Sequence, residues 1–141
     1  MGSLRQLAGQ EKREERERDE AAYASLEKFT QPEIRVLLHM AGFLHPPYAL
    51  LKIGRDWTLL DRSFDSMNYG FPRWPTTDHR TVSSLRKRGL IERTKTTGRT
   101  KEYRLSEQGQ VLANEFLRIF KKDFISYFRK LSSLIGSPDA L

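Results

Sequence analysis

The apolar positions of this chain change period several times, and each change marks an element. From Gln10 to Phe29 the spacing is helical but alters midway. Glu11 to Glu20 is almost wholly charged, with opposite charges four apart as in Glu14 and Arg18, and only then do Ala22, Leu26 and Phe29 form an apolar stripe. Exposed pairs at that spacing contribute about 0.2–0.5 kcal/mol each, so a solvated, fraying helix is expected there. Thr30-Gln31-Pro32-Glu33 has the Thr-x-x-Glu spacing of a capping box with Pro32 in the first turn. A helix follows, expected to carry Ile34, Leu37, Leu38 and Ala41 inward and to stop at Gly42. After His45-Pro46-Pro47 the pattern predicts a second helix, opened by Pro47 and running through Tyr48, Leu50, Leu51 and Ile53 toward Trp57. Thr58 to Pro75, rich in Pro, Gly and aromatic residues, reads as a long connection.

Residues 76 to 89 predict a third helix, capped by Thr76 or Thr77 with Asp78 at the positive end of its dipole. Val82 and Leu85 face inward, and three cations precede a stop at Gly89. A hairpin follows: one strand from Leu90 through Lys95, a turn at Thr96-Thr97-Gly98-Arg99, and a second strand near Glu102 to Leu105. Ile91, Arg93 and Lys95 alternate along the first strand. Ser106 opens a long final helix in which Ala113, Leu117, Phe120, Phe124, Tyr127, Leu131 and Leu134 are spaced 4, 3, 4, 3, 4 and 3. That is an a/d seam, and its length favours packing against another chain.

Composition narrows the function. The 141 residues fit one folded core, 38% of them hydrophobic. With no cysteine there is no disulfide scaffold, thiol nucleophile or zinc finger. His39 and His45 follow no metal-ligand spacing, and no Gly-rich phosphate loop or catalytic triad spacing is present, so neither enzyme activity nor a cofactor is expected. No apolar run approaches the roughly 18 residues of a spanning helix, and Gln10-Glu11-Lys12-Arg13 follows too soon for a signal peptide. The expected place is the cytoplasm, at the nucleoid. Net charge is +7, and residues 79 to 104 account for all of it with nine cations against two carboxylates. One basic cluster on an otherwise neutral chain is the footprint of a polyanion binder.

The predicted order, two helices, a recognition-type helix, a hairpin and a long helix, makes the expected fold class mainly α with a small β-hairpin. It is the order of a winged helix-turn-helix with a long C-terminal dimerisation helix. Arg80-Thr81-Val82-Ser83-Ser84-Leu85-Arg86-Lys87-Arg88-Gly89-Leu90-Ile91-Glu92-Arg93 resembles the recognition helix and its exit in MarR-like and PadR-like transcriptional regulators, and Tyr103 to Gly109 resembles their second wing strand and helix start. The expected division is a charged, fraying helical extension at 1–20, a winged-helix DNA-binding domain at 21–110 and a dimerisation helix at 111–137. The protein would be a homodimeric, sequence-specific regulator bound to double-stranded DNA. Thr77, His79, Arg80, Ser83, Ser84 and Lys87 would line the major groove, with Arg80 the candidate for guanine. Arg93, Lys95, Thr97, Arg99 and Lys101 would form the wing, and Leu117, Phe120, Phe124, Tyr127, Leu131 and Leu134 the dimer seam. A small-molecule effector of unknown identity would sit beside Trp57, Tyr69, Phe71 and Trp74. The alternatives are a protein-interaction adaptor on the same fold and a DNA-organising or replication protein of a plasmid or virus.

Overall fold

Five antiparallel strands, not one small hairpin, lie at the centre of the chain in the computed structural model, which describes residues 4–43, 45–61 and 74–135, with side chains to residue 125. In chain order the elements are α1 (Leu4–Leu26), α2 (Gln31–Ala41), β1 (Ala49–Ile53), β2 (Asp56–Leu60), β3 (Thr76–Thr77), α3 (His79–Lys87), β4 (Ile91–Thr97), β5 (Thr100–Leu105) and α4 (Glu107–Ile135). The sheet order is β3-β2-β1-β5-β4. The expected mainly α winged helix-turn-helix is therefore corrected to an α+β fold.

The correction turns on residues 47–60. Two prolines leave the chain extended rather than helical, and Gly54, at φ 64°, turns it back on itself after Ile53. Leu50 then lies between Leu59 on β2 and Tyr103 on β5, and all three are buried. A helix would offer one apolar stripe to one neighbour; the strand is flanked by apolar partners on both sides. Because β1 and β2 stand between α2 and α3, no short turn joins those two helices.

The chain divides into two compact units, one of residues 29–114 and one pairing the N-terminal 28 residues with those from 115 onward. In the first, α2 begins as its capping box requires. The Thr30 amide donates to Glu33 Oε1 at 2.9 Å and the Glu33 amide to Thr30 Oγ1 at 3.3 Å. Its inner face is Glu33, Val36, Leu37 and Met40, one position round from the expected stripe, so Ile34 and Leu38 are only half-buried. The reason is Glu33, which also accepts from Ser84 on α3 at 2.8 Å and stands 3.9 Å from the Arg88 guanidinium. Burial pushes this carboxyl up, but the Thr30 amide, the Ser84 hydroxyl and Arg88 outweigh it and hold it below the usual carboxylate range.

At the other end of the hairpin the start of α4 packs on backbone. The Ser106 amide donates to the Leu90 carbonyl at 2.9 Å, and Ser106 Oγ accepts from the Gly109 amide at 3.0 Å. A Cβ on Gly109 would fall 1.9 Å from that same carbonyl oxygen.

In the second unit the charged half of α1 has partners the sequence does not reveal. Arg18 bonds Glu115 at 3.0 Å, Asp19 pairs with Arg118 and with Lys122 at 3.0 Å, and Glu15 pairs with Lys122. The Tyr23 hydroxyl donates to Asp123 at 2.9 Å, which raises its pKa. Hydrogen bonds from Arg118 and Lys122 lower the Asp19 pKa, and one from Arg18 lowers that of Glu115. From Leu4 the charged stretch is helical, and its Glu15, Arg18 and Asp19 pair across to α4 while most of its side chains are exposed.

Candidate nucleic-acid interface

The helix α3 starts on Asp78, whose carboxylate accepts from the Thr81 amide at 2.7 Å, a bond that lowers the Asp78 pKa. Asp78 is the cap; Thr76 and Thr77 belong to β3 instead. Three sides of this nine-residue helix are distinct. Thr81, Val82 and Leu85 are buried, and Ser84 and Arg88 turn to Glu33 of α2. His79, Arg80, Ser83 and Lys87 line an open groove together with the edges of Ser84 and Arg88.

Register fixes which sheet residues share the face of α3. Trp57 pairs with Lys52, Lys52 with Lys101, and Leu50 with Tyr103. Residues two apart on a strand point the same way, so Lys52, Trp57, Lys101, Tyr103 and Arg93 lie on one face. The rings of Trp57 and His79 are 6.3 Å apart, and the Arg86 guanidinium lies 5.3 Å above Tyr103, so this is the face that α3 covers in part. Lys52 reaches over Trp57 at 5.3 Å. The exposed face of the helix thus continues onto a cationic strip of the sheet.

Four of the expected contact residues are placed as follows. Thr77 sits opposite Trp57 on β3, and its hydroxyl is buried without a hydrogen-bond partner among the described residues. Ser84 spends its hydroxyl on Glu33. Lys95 and Thr97 stand on the face away from α3, because the register shifts between Arg93 and Lys95: Arg93 pairs with Tyr103, but Lys95 pairs with Glu102. A bulge adds one residue, here Thr94, and so reverses the alternation beyond it. Lys95 and Thr97 border a separate groove with Leu51, Thr100 and Glu102. Arg93, Arg99 and Lys101 remain on the near face or at the tip. Of the other cations in the cluster, Arg104 bonds Glu92 at 3.0 Å, and Arg88 lies 4.2 Å over Phe29.

Compared with protein-family models, curated proteins and solved structures, the chain finds no match. Lys52 is the residue that sequence reasoning missed; a hairpin reading of Ile53-Gly54-Arg55-Asp56, a glycine between two apolar runs, would have found it.

The expected seam and effector site are placed only in part. Leu117 is buried within the chain and Phe120 is half-buried, so the first turns of the seam already serve this chain, whereas Phe124 and Ile125 are exposed. The side chains of Tyr127, Leu131 and Leu134, like Tyr69 and Phe71, lie outside the described residues. Trp57 is buried against Tyr103, 5.3 Å away. Trp74 meets Tyr48 edge-on at 5.5 Å. His39 and His45, unrelated by any sequence spacing, share a hydrogen bond of 3.0 Å, and Tyr48 stacks on His45 at 3.8 Å. Burial, then His45 and Arg35, lower the His39 pKa. No three His, Asp or Glu side chains converge as metal ligands among the described residues. No described helix is long and apolar enough to cross a membrane.

Proposed function

We propose that the protein binds double-stranded DNA sequence-specifically and regulates transcription as a homodimer, at the nucleoid of the cytoplasm. The observation that carries this reading is the continuity of the His79, Arg80, Ser83 and Lys87 face of α3 with Lys52, Arg93 and Lys101 on the sheet. A helix flanked by cations suits the major groove, with its first turn toward base edges and the strip on phosphates. The local likeness of residues 80–93 and 103–109 to MarR-like and PadR-like regulators supports the same use of these segments. Exposed Phe124 and Ile125 on α4 support a dimer contact beyond Leu117.

Arg80, exposed in the first turn of α3, is the base reader in this reading. Arg80→Ala is expected to cost about 1–3 kcal/mol of affinity and to relax preference at one position of the site. Duplexes selected from a random pool, compared between the wild type and the variant, test it. Equal loss on every sequence would make Arg80 a phosphate contact, and no loss would remove α3 from the interface.

Asp78 makes a second test. Asparagine caps a helix as well as aspartate does, so Asp78→Asn should leave the thermal midpoint unchanged. It should tighten binding to random duplex several-fold by removing a carboxylate from the phosphate-facing end of α3. Asp78→Ala should lower the midpoint. Unchanged affinity of the asparagine variant at low salt would mean that the start of α3 does not approach DNA.

A further inference from the structure

The sheet carries a second turn with the same chemistry as the first. The β4–β5 hairpin turns at Thr97-Gly98-Arg99-Thr100, and the β1–β2 hairpin turns at Ile53-Gly54-Arg55-Asp56. Both are two-residue connections, and both glycines take a positive φ, 58° at Gly98 and 64° at Gly54, which side chains with a Cβ rarely adopt. The arginine therefore stands at the same place in each tip. Ile53 pairs with Thr100, so the two tips lie at the same end of the sheet. Their turns are two strand spacings apart, about 10 Å. Behind them Lys52 and Lys101 are direct cross-strand partners. Like charges directly opposite each other destabilise a sheet, and an anion bound between them offsets that repulsion.

We infer that the β1–β2 turn is a second backbone-gripping tip: Arg55, with Lys52 behind it, holds phosphates of the same nucleic-acid backbone that Arg99 and Lys101 hold. The inference rests on the proposed DNA-binding reading and adds a contact which that reading does not need. Its occupant is a run of phosphodiesters, since two guanidiniums on slim turns match a row of phosphate oxygens. At about 10 Å apart the two tips reach separate phosphates of one backbone.

The test measures affinity for a duplex of random sequence against salt concentration, for the wild type and for Arg55→Ala, Arg99→Ala, the double variant and Arg80→Ala. Arg55 is exposed at a turn, so its alanine variant should keep the wild-type melting curve. Each tip variant should reduce the slope of log K against log salt by about 0.9, and the double variant by about 1.8. Affinity at about 0.1 M salt should fall roughly eight-fold per tip by the same relation. Lys52→Gln, which keeps a stem over Trp57, should behave like Arg55→Ala. If Arg99→Ala weakens binding but Arg55→Ala and Lys52→Gln change neither slope nor affinity, the second tip is overturned alone. If the wild type binds no duplex at low salt, the DNA-binding reading falls and takes the second tip with it. Loss on Arg55→Ala without loss on Arg80→Ala supports the tip and agrees with Arg80 as a base reader, whose loss shows only on selected duplexes.

Discussion

Gly109→Ala is expected to destabilise the fold by about 3 kcal/mol or more, as overpacking against backbone does. Helix propensity alone gives the opposite sign, because alanine is better than glycine within a helix by about 1 kcal/mol. Packing decides against propensity. The new methyl would sit 1.9 Å from the Leu90 carbonyl oxygen and 2.8 Å from its carbon, and neither can swing aside as a side-chain tip would. Leu90 also accepts the Ser106 amide there, so moving it breaks the bond that joins the end of α3 to the start of α4. Ile91 follows and opens β4, so the hairpin would shift with it. Urea denaturation of both proteins measures the effect. A variant more stable than the wild type would contradict the close approach of α4 to Leu90.

Neutralising the near-face cations together should remove DNA binding and spare the fold. By counterion release each phosphate contact contributes a salt slope of about 0.9, so losing three contacts, at Arg93, Arg99 and Lys101, lowers affinity about 500-fold at about 0.1 M salt. Arg93 and Arg99 are exposed and Lys101 is half-exposed, so thermal midpoint and molar mass in solution should stay those of the wild type. Lys95→Ala is the internal control, because the bulge puts Lys95 on the face away from α3. Its affinity should change far less than that of any near-face variant. Equal losses at Lys95 and Lys101 would mean that the DNA wraps the hairpin tip instead of lying on one face.

Local signals were readable before the structure was known. The Thr30–Glu33 box, the run of cations before Gly89, the turn at Gly98 and the start of α4 at Ser106 all depend on neighbours within a few residues, and all are present. What failed depends on distant partners. Pro47, Leu50, Ile53 and Trp57 fit a helix opened by proline as well as two short strands, and only pairing of β1 with β5, some fifty residues on, separates the two. Glu15, Arg18 and Asp19 find partners about a hundred residues away on α4. The Ser84 hydroxyl looked available because Glu33 lies on another helix. The bulge at Thr94 carries no glycine to mark it, and one unmarked residue was enough to send Lys95 to the other face.

The helix-bearing face of the sheet and α3 together are proposed to bind duplex DNA. The most direct measurement is the affinity of the purified chain for a random-sequence duplex over a series of salt concentrations. Contacts from Lys52, Arg55, Arg93, Arg99, Lys101 and Lys87 predict tight binding at low salt and a slope of log K against log salt of about −5, from six phosphates at about 0.9 each. No binding at low salt, or a slope near zero, would contradict it.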